Sequence, residues 1–167
     1  MAAAPPRRWG WHPLTAEWAA RVVDAAPVRP GDVVVDLGAG DGALTGPLAR
    51  AGCRVLAVEL HARRAAGLRE RFEGSRVAVL ELDSDEFRWP GHPFRVVANP
   101  PYAGINALVR ALLMLPQLRS ADLVVAEHAA RGLLRRYPDR LQPGLRVPCR
   151  AFRNRPPAGA RVLRIRA

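Results

Sequence analysis

Between residues 33 and 136, short aliphatic runs alternate with stretches of helical period, and this alternation constrains the fold more than any other feature. Val33–Leu37, Arg54–Val58, Arg76–Leu80, Phe94–Ala98 and Ala121–Val125 read as strands. The segments through Leu48-Ala49-Arg50, His61–Phe72, Ile105–Leu115 and Ala129–Arg136 read as helices. Parallel neighbours need a long crossover between them, and a helix supplies it. Leu145–Phe152 and Arg161–Ile165 are predicted as two further strands. The Pro-rich stretch Asn154–Gly159 between them is too short for a crossover, so it predicts an antiparallel hairpin. Upstream, Leu14–Ala26 has a helical pattern with Thr15 as its cap. The expectation is an α/β fold, with a mainly parallel sheet that ends in an antiparallel hairpin.

The length of 167 residues fits one domain, 1–167, with a core large enough to need neither disulfides nor a structural metal. Within it, residues 1–13 read as an N-terminal arm and 128–167 as a basic C-terminal segment. The formal charge is +11, and all 26 basic residues are arginine. The charge is uneven. Residues 31–127 hold eleven arginines against twelve acids, whereas residues 128–167 hold eleven against Asp139 alone. Such a balance points to a polyanionic partner. Cys53 and Cys149 lie far apart without a ligand-spaced partner, so no metal site is expected, and reduced thiols suit a cytoplasmic protein. No apolar run is long enough to span a membrane, and nothing after Met1 reads as a secretory signal.

The first strand runs into Asp36-Leu37-Gly38-Ala39-Gly40-Asp41-Gly42, a turn that opens a helix. Glycines there let the backbone turn tightly and approach a ligand. A strand–helix turn with no ligand would use similar residues. Glu59 ends the second strand, where a carboxylate can accept both hydroxyls of a ribose or serve as a helix-start acid. Asp83 follows the third strand within Glu81-Leu82-Asp83-Ser84-Asp85-Glu86, and can meet a base edge or be a loop acid.

Asn99-Pro100-Pro101-Tyr102 ends the fourth strand. Two prolines cannot continue a ladder, so they fix a stiff loop that projects Asn99 and Tyr102. The chemistry suits a planar amine whose lone pair is delocalised. The Asn99 side-chain oxygen and the Pro100 carbonyl can accept its two N–H groups and favour a tetrahedral nitrogen. The Tyr102 ring offers a stacking surface for a base.

Taken together, these strand ends resemble the Rossmann-like class I methyltransferases that use S-adenosylmethionine (SAM), and the Asn-Pro-Pro-Tyr run resembles the signature of amino-methyltransferases. Three further stretches narrow the likeness. Trp9-Gly10-Trp11-His12-Pro13-Leu14 sits where ribosomal-RNA adenine dimethyltransferases carry a Gln-Asn-Phe-Leu-like segment. Val35 to Thr45 resembles their Gly-x-Gly-x-Gly-x-Leu-Thr run, and Val147 to Pro157 their Pro-Arg-x-x-Phe-x-Pro-x-Pro segment. The chain most resembles the Erm-type methyltransferases of 23S ribosomal RNA, as a short form without their helical C-terminal domain. His12, Pro13 and Pro100 depart from that family's usual residues.

The resemblance implies a monomeric enzyme that methylates the N6 amine of an adenine in 23S ribosomal RNA and confers macrolide resistance. It implies catalysis by Asn99, Pro100 and Tyr102, with SAM held by His12, Leu14, Gly38, Gly40, Glu59, Leu60, Asp83, Ser84 and Asn99. RNA is expected at Arg7, Arg8, Trp11, Arg135, Arg136, Arg153 and Arg155. A protein methyltransferase and a non-catalytic RNA-binding remnant of the fold remain the alternatives.

Overall fold

A computed structural model of the protein describes residues 12–101 and 103–166. Its elements in chain order are α1 (Ala16–Ala25), β1 (Val33–Leu37), α2 (Thr45–Arg50), β2 (Arg54–Glu59), α3 (Ala62–Arg71) and β3 (Val77–Glu81). Then follow β4 (Phe94–Ala98), α4 (Ile105–Leu113), β5 (Leu118–Ala126), α5 (Glu127–Arg136), β6 (Leu141–Val147) and β7 (Ala160–Arg166). The strands form one seven-stranded sheet in the order β3-β2-β1-β4-β5-β7-β6. The first five strands are parallel, and β7 inserts antiparallel between β5 and β6. The predicted architecture is the observed one.

Both sheet faces are covered, which is why the inner strands read as continuous aliphatic runs. On one face Val34, Val97, Val124 and Val162 pack against Trp18, Val22 and Val23 of α1 and Leu48 of α2. On the other, Val35, Val96, Leu123 and Leu163 meet Ile105, Val109 and Leu112 of α4 and Leu133 of α5. The recurrence of buried residues at 18, 19, 22 and 23 gives α1 its apolar stripe. Thr15 caps α1 by accepting the Trp18 N–H at 3.4 Å. At the amino half of the sheet, Arg95 Nε binds Asp32 Oδ2 at 2.7 Å and Arg164 Nε binds Asp122 Oδ1 at 2.7 Å. Burial pushes the Asp122 carboxyl up, and its Oδ2 has no partner among the described residues.

The sixth strand is shifted from its expected place. It spans Leu141–Val147 rather than Leu145–Phe152, and Cys149–Ala151 forms a single 3-10 turn. Pro143 and Gly144 argue against a strand there, but β6 is an edge, where a missing N–H is tolerated. The register slips between Pro143 and Arg146 to absorb them. The connection to β7 therefore runs over residues 148–159, longer than the Asn154–Gly159 turn expected, and it returns across the molecule to pair Phe152 with Leu14. Leu14 lies in that bridge, ahead of α1.

Candidate active site

The strand order reverses between β1 and β4: β2 lies on one side of this pair and β5 on the other. In open α/β sheets the crevice beyond such a reversal receives ligands. The glycine turn follows β1 and the Asn99 loop follows β4, so both motifs meet at this crevice. Gly38, Gly40 and Gly42 have φ of 76°, 61° and 88°, which L side chains rarely adopt. A Cβ on Gly38 would lie 3.6 Å from Pro101 Cδ, so the two motifs approach to contact distance.

Two carboxylates fix the turn from within. Asp36 is 1% exposed and Glu59 is 4% exposed. Asp36 Oδ2 accepts the Thr45 hydroxyl at 2.7 Å and clamps the turn to the start of α2. Burial pushes the Asp36 carboxyl up to about 7, against the Thr45 hydrogen bonds that lower it, with a small further rise from the charge of Glu59. Glu59 Oε2 accepts the Gly40 N–H at 2.8 Å, and Oε1 accepts the His61 N–H at 2.9 Å. A carboxylate offers about four acceptor positions, so further capacity remains for hydroxyls at the rim. Leu60 beside it is 40% exposed, an uncommon state for a leucine and a ready apolar surface.

The crevice has two parts. The smaller is walled by Pro13, Leu14, Asp36, Gly38, Gly40 and Asn99. The larger, about 650 Å³, is lined by Leu37, Asp83, Ser84, Phe87, Pro100 and Pro101 among others. Asp83 caps a 3-10 turn, Ser84–Glu86, by accepting the Asp85 N–H at 3.0 Å. It lines the larger cavity, with one oxygen occupied.

Asn99 Nδ2 donates to the His12 carbonyl at 2.8 Å, which leaves Oδ1 to accept an N–H from the crevice. His12 in turn meets the Asn154 amide through Nδ1, at 2.9 Å from Nδ2 and 3.2 Å from Oδ1.

The structure thus brings His12, Leu14, Gly38, Gly40, Glu59, Asp83, Ser84, Asn99 and Pro100 to one end of the sheet. Tyr102, Arg7, Arg8 and Trp11 lie outside the described residues. Arg153 forms an ion pair with Asp41 of the glycine turn and so sits at the crevice rim. Arg135 and Arg136 end α5, and Arg136 lies over the Tyr137 ring at 5.6 Å. Arg155 holds φ 40°, a rare conformation for a non-glycine residue. Sequence reading missed Phe87 and Trp89, which also line the larger cavity, and the pairing partners Asp41 and Asn154. A buried aromatic following an acidic turn was the available signal for Phe87.

This sheet, with its glycine turn and Asn-Pro-Pro loop, belongs to the methyltransferase class. The crystal structure of the 23S rRNA methyltransferase ErmE superposes with a TM-score of 0.83 at 27% identity, covering 92% of this chain and 69% of that one. A dimethyladenosine transferase from Plasmodium falciparum shares the fold at TM-score 0.80 and 21% identity, covering 92% and 62% of the two chains. Residues 15–154 match the Ribosomal RNA adenine dimethylase family, and the chain belongs to it. An rRNA adenine N-6-methyltransferase of Corynebacterium diphtheriae is 33% identical over 144 residues, covering 80% of this chain and 57% of that protein. A Ribosomal RNA small subunit methyltransferase A of Thermosynechococcus vestitus is 39% identical over 111 residues, covering 64% and 41%. The chain spans about half the length of the curated relatives it matches. Among the described residues no helix is long and apolar enough to cross a membrane.

Proposed function

We propose that the protein transfers a methyl group from SAM to the N6 amine of an adenine in 23S ribosomal RNA, and that this modification protects the ribosome from macrolides. The observation that carries the reading is the orientation of Asn99 in the crevice wall, whose Nδ2 is committed to the His12 carbonyl, which leaves Oδ1 as the acceptor.

The residues present fit the cofactor. The glycine turn admits a close approach of ligand to backbone, Glu59 offers acceptor positions for a ribose, and Asp83 and Ser84 border an apolar cavity wide enough for a base. His12, Leu14 and Leu60 complete the walls on this reading. When bound, SAM supplies an electrophilic methyl group on a sulfonium.

The amine of adenine is a weak nucleophile because its lone pair is drawn into the ring. Asn99 Oδ1 and the Pro100 carbonyl accept its two N–H groups and favour the tetrahedral geometry in which the lone pair is released. Pro100 and Pro101 hold these acceptors stiffly, so little orientation remains to be lost at the reaction. Tyr102 stacks on the base, which must leave its helix or come from an unpaired region. Arg7, Arg8, Trp11, Arg135, Arg136, Arg153 and Arg155 form the RNA-binding surface on this reading. Among the described residues, Arg135, Arg136 and Arg155 form no ion pair, which suits phosphate contacts.

The second reading is methylation of small-subunit RNA, favoured by the names of several relatives. Incubation with labelled SAM and naked 23S or 16S RNA, followed by nucleoside analysis, decides between them. Label in N6-methylated adenosine of 23S RNA, lost in Asn99→Ala, is the expected result. Label in 16S RNA alone favours the second reading, and label in neither RNA removes both.

A further inference from the structure

Residues 12–15 and 151–154 run side by side as a short antiparallel ribbon at the crevice. The Thr15 N–H donates to the Ala151 carbonyl at 2.8 Å, the Arg153 N–H donates to the Pro13 carbonyl at 2.8 Å, and Leu14 bridges Phe152. Two side chains of the ribbon reach the two halves of the site. Arg153 pairs with Asp41 in the glycine turn, and Asn154 pairs with His12, whose carbonyl holds Asn99. The His12 ring also stands edge-on to Phe152, with centroids 6.3 Å apart and planes at 74°.

We propose that Asn154 is a positioning residue for methyl transfer: by pinning the His12 ring it holds the His12 carbonyl where that carbonyl sets the orientation of the Asn99 amide. The inference rests on the role given to Asn99 above. A terminal amide has two orientations of nearly equal shape and opposite polarity. With Oδ1 toward the crevice, Asn99 accepts an amine N–H. Turned over, it presents N–H to N–H and repels the substrate. A carbonyl only accepts, so the His12 oxygen selects the productive orientation, provided it stays within hydrogen-bond reach. Among the described residues, His12 lies one position beyond the Arg153–Pro13 bond of the ribbon, and the Asn154 contact extends the ribbon to it. The pair joins positions 142 residues apart, so it acts through the fold and not through the local chain.

The test compares Asn154→Ala, His12→Ala, the double variant and Asn99→Ala with the wild-type protein. Asn154→Ala is expected to lower kcat by about 10–100-fold, the scale of an ångström-sized misplacement. Its affinity for SAM should fall far less than kcat, since Glu59 and the glycine turn are untouched and only the wall at His12 and Asn99 is shared, and the double variant should be no slower than the slower single one. A second measurement needs no turnover. In nitrogen-resolved NMR of the protein with SAM, the Asn99 side-chain amide should show a hydrogen-bonded proton that exchanges slowly with water, and that exchange should quicken in Asn154→Ala. Wild-type kcat in folded Asn154→Ala, multiplying effects in the double variant, or an unchanged Asn99 amide signal overturns the proposal. If Asn99→Ala itself retains full activity, the role given to Asn99 fails, and the amide signal still judges whether Asn154 positions it.

Discussion

Glu59 and Asp36 both brace the glycine turn from buried positions. Glu59 receives two backbone N–H groups and so holds the Gly40 peptide in place, beside the position proposed for the ribose. Glu59→Ala removes charge-assisted hydrogen bonds of about 1.5–3 kcal/mol each and leaves a buried Gly40 N–H unmatched. We expect SAM affinity to fall at least about tenfold and the melting temperature to drop with it. Unchanged affinity by calorimetry in a folded Glu59→Ala protein would remove Glu59 from the cofactor site. Asp36 has only the Thr45 contacts against full desolvation, and its carboxyl rises to about 7. The folded state therefore holds a proton that the unfolded chain, titrating near 4, releases more readily. The resulting stabilisation is complete below about pH 4 and is lost as pH rises through about 7. Its ceiling is about 4 kcal/mol, by the relation of one pKa unit to 1.36 kcal/mol. Asp36→Asn abolishes this titration. Urea midpoints measured from pH 5 to 8 should fall for wild type relative to Asp36→Asn, and parallel curves would show that Asp36 is ionised throughout.

At the scale of elements, the parallel core was legible because each strand and its crossover helix carries its pattern locally. β1 and β4 fall on the residues expected from their aliphatic runs, and Thr15 caps α1 as its hydroxyl suggested. The positions of the candidate residues at strand ends were legible for the same reason: Gly38, Gly40, Glu59, Asp83 and Asn99 each end a strand or lie shortly after one. What was not legible depends on distant pairing. Nothing local marks Asn154 as a partner of His12, or Arg153 as a partner of Asp41, across 142 and 112 residues. The start of β6 was missed because Pro143 and Gly144 are turn residues by local rule, and only their place on a sheet edge admits them. Gly144 is held there by crowding: a Cβ would lie 3.0 Å from the Val162 carbonyl oxygen and 3.2 Å from Val162 Cβ. Gly144→Ala must push β6 from β7, and overpacking of this kind costs about 1–3 kcal/mol. Chemical denaturation should show that loss. A variant as stable as wild type would mean that the register slip at Pro143–Arg146 yields without strain.

Across the whole molecule, folding redistributes the charge asymmetry of the sequence. Of the arginines in residues 128–167, Arg153, Arg161 and Arg164 form ion pairs with Asp41, Glu127 and Asp122, acids that lie earlier in the chain. The basic segment is thus stitched in part to the body of the protein. Arg161 and Arg164 lie on β7, with side chains only 16% and 23% exposed, and serve the fold. Arg135, Arg136 and Arg155 are exposed and lie outside the ion pairs among the described residues. An arginine that grips phosphate releases counterions, and each such contact on single-stranded RNA contributes about −0.7 to the slope of log affinity against log salt. Replacing Arg135, Arg136 and Arg155 with Gln should therefore flatten that slope by about 2 and weaken binding to RNA of any sequence, while SAM affinity stays unchanged. Arg153→Gln should behave in the opposite way. Loss of its pair with Asp41 loosens the glycine turn, so SAM affinity should fall while the salt slope moves by no more than a single contact. Titrations of RNA and of SAM against both variants over a range of salt concentrations read the two effects separately. A triple variant with the wild-type salt slope would place the phosphate contacts elsewhere on the molecule. An Arg153→Gln protein with unchanged SAM affinity would show that the turn is held by Asp36 and Glu59 without help from its rim.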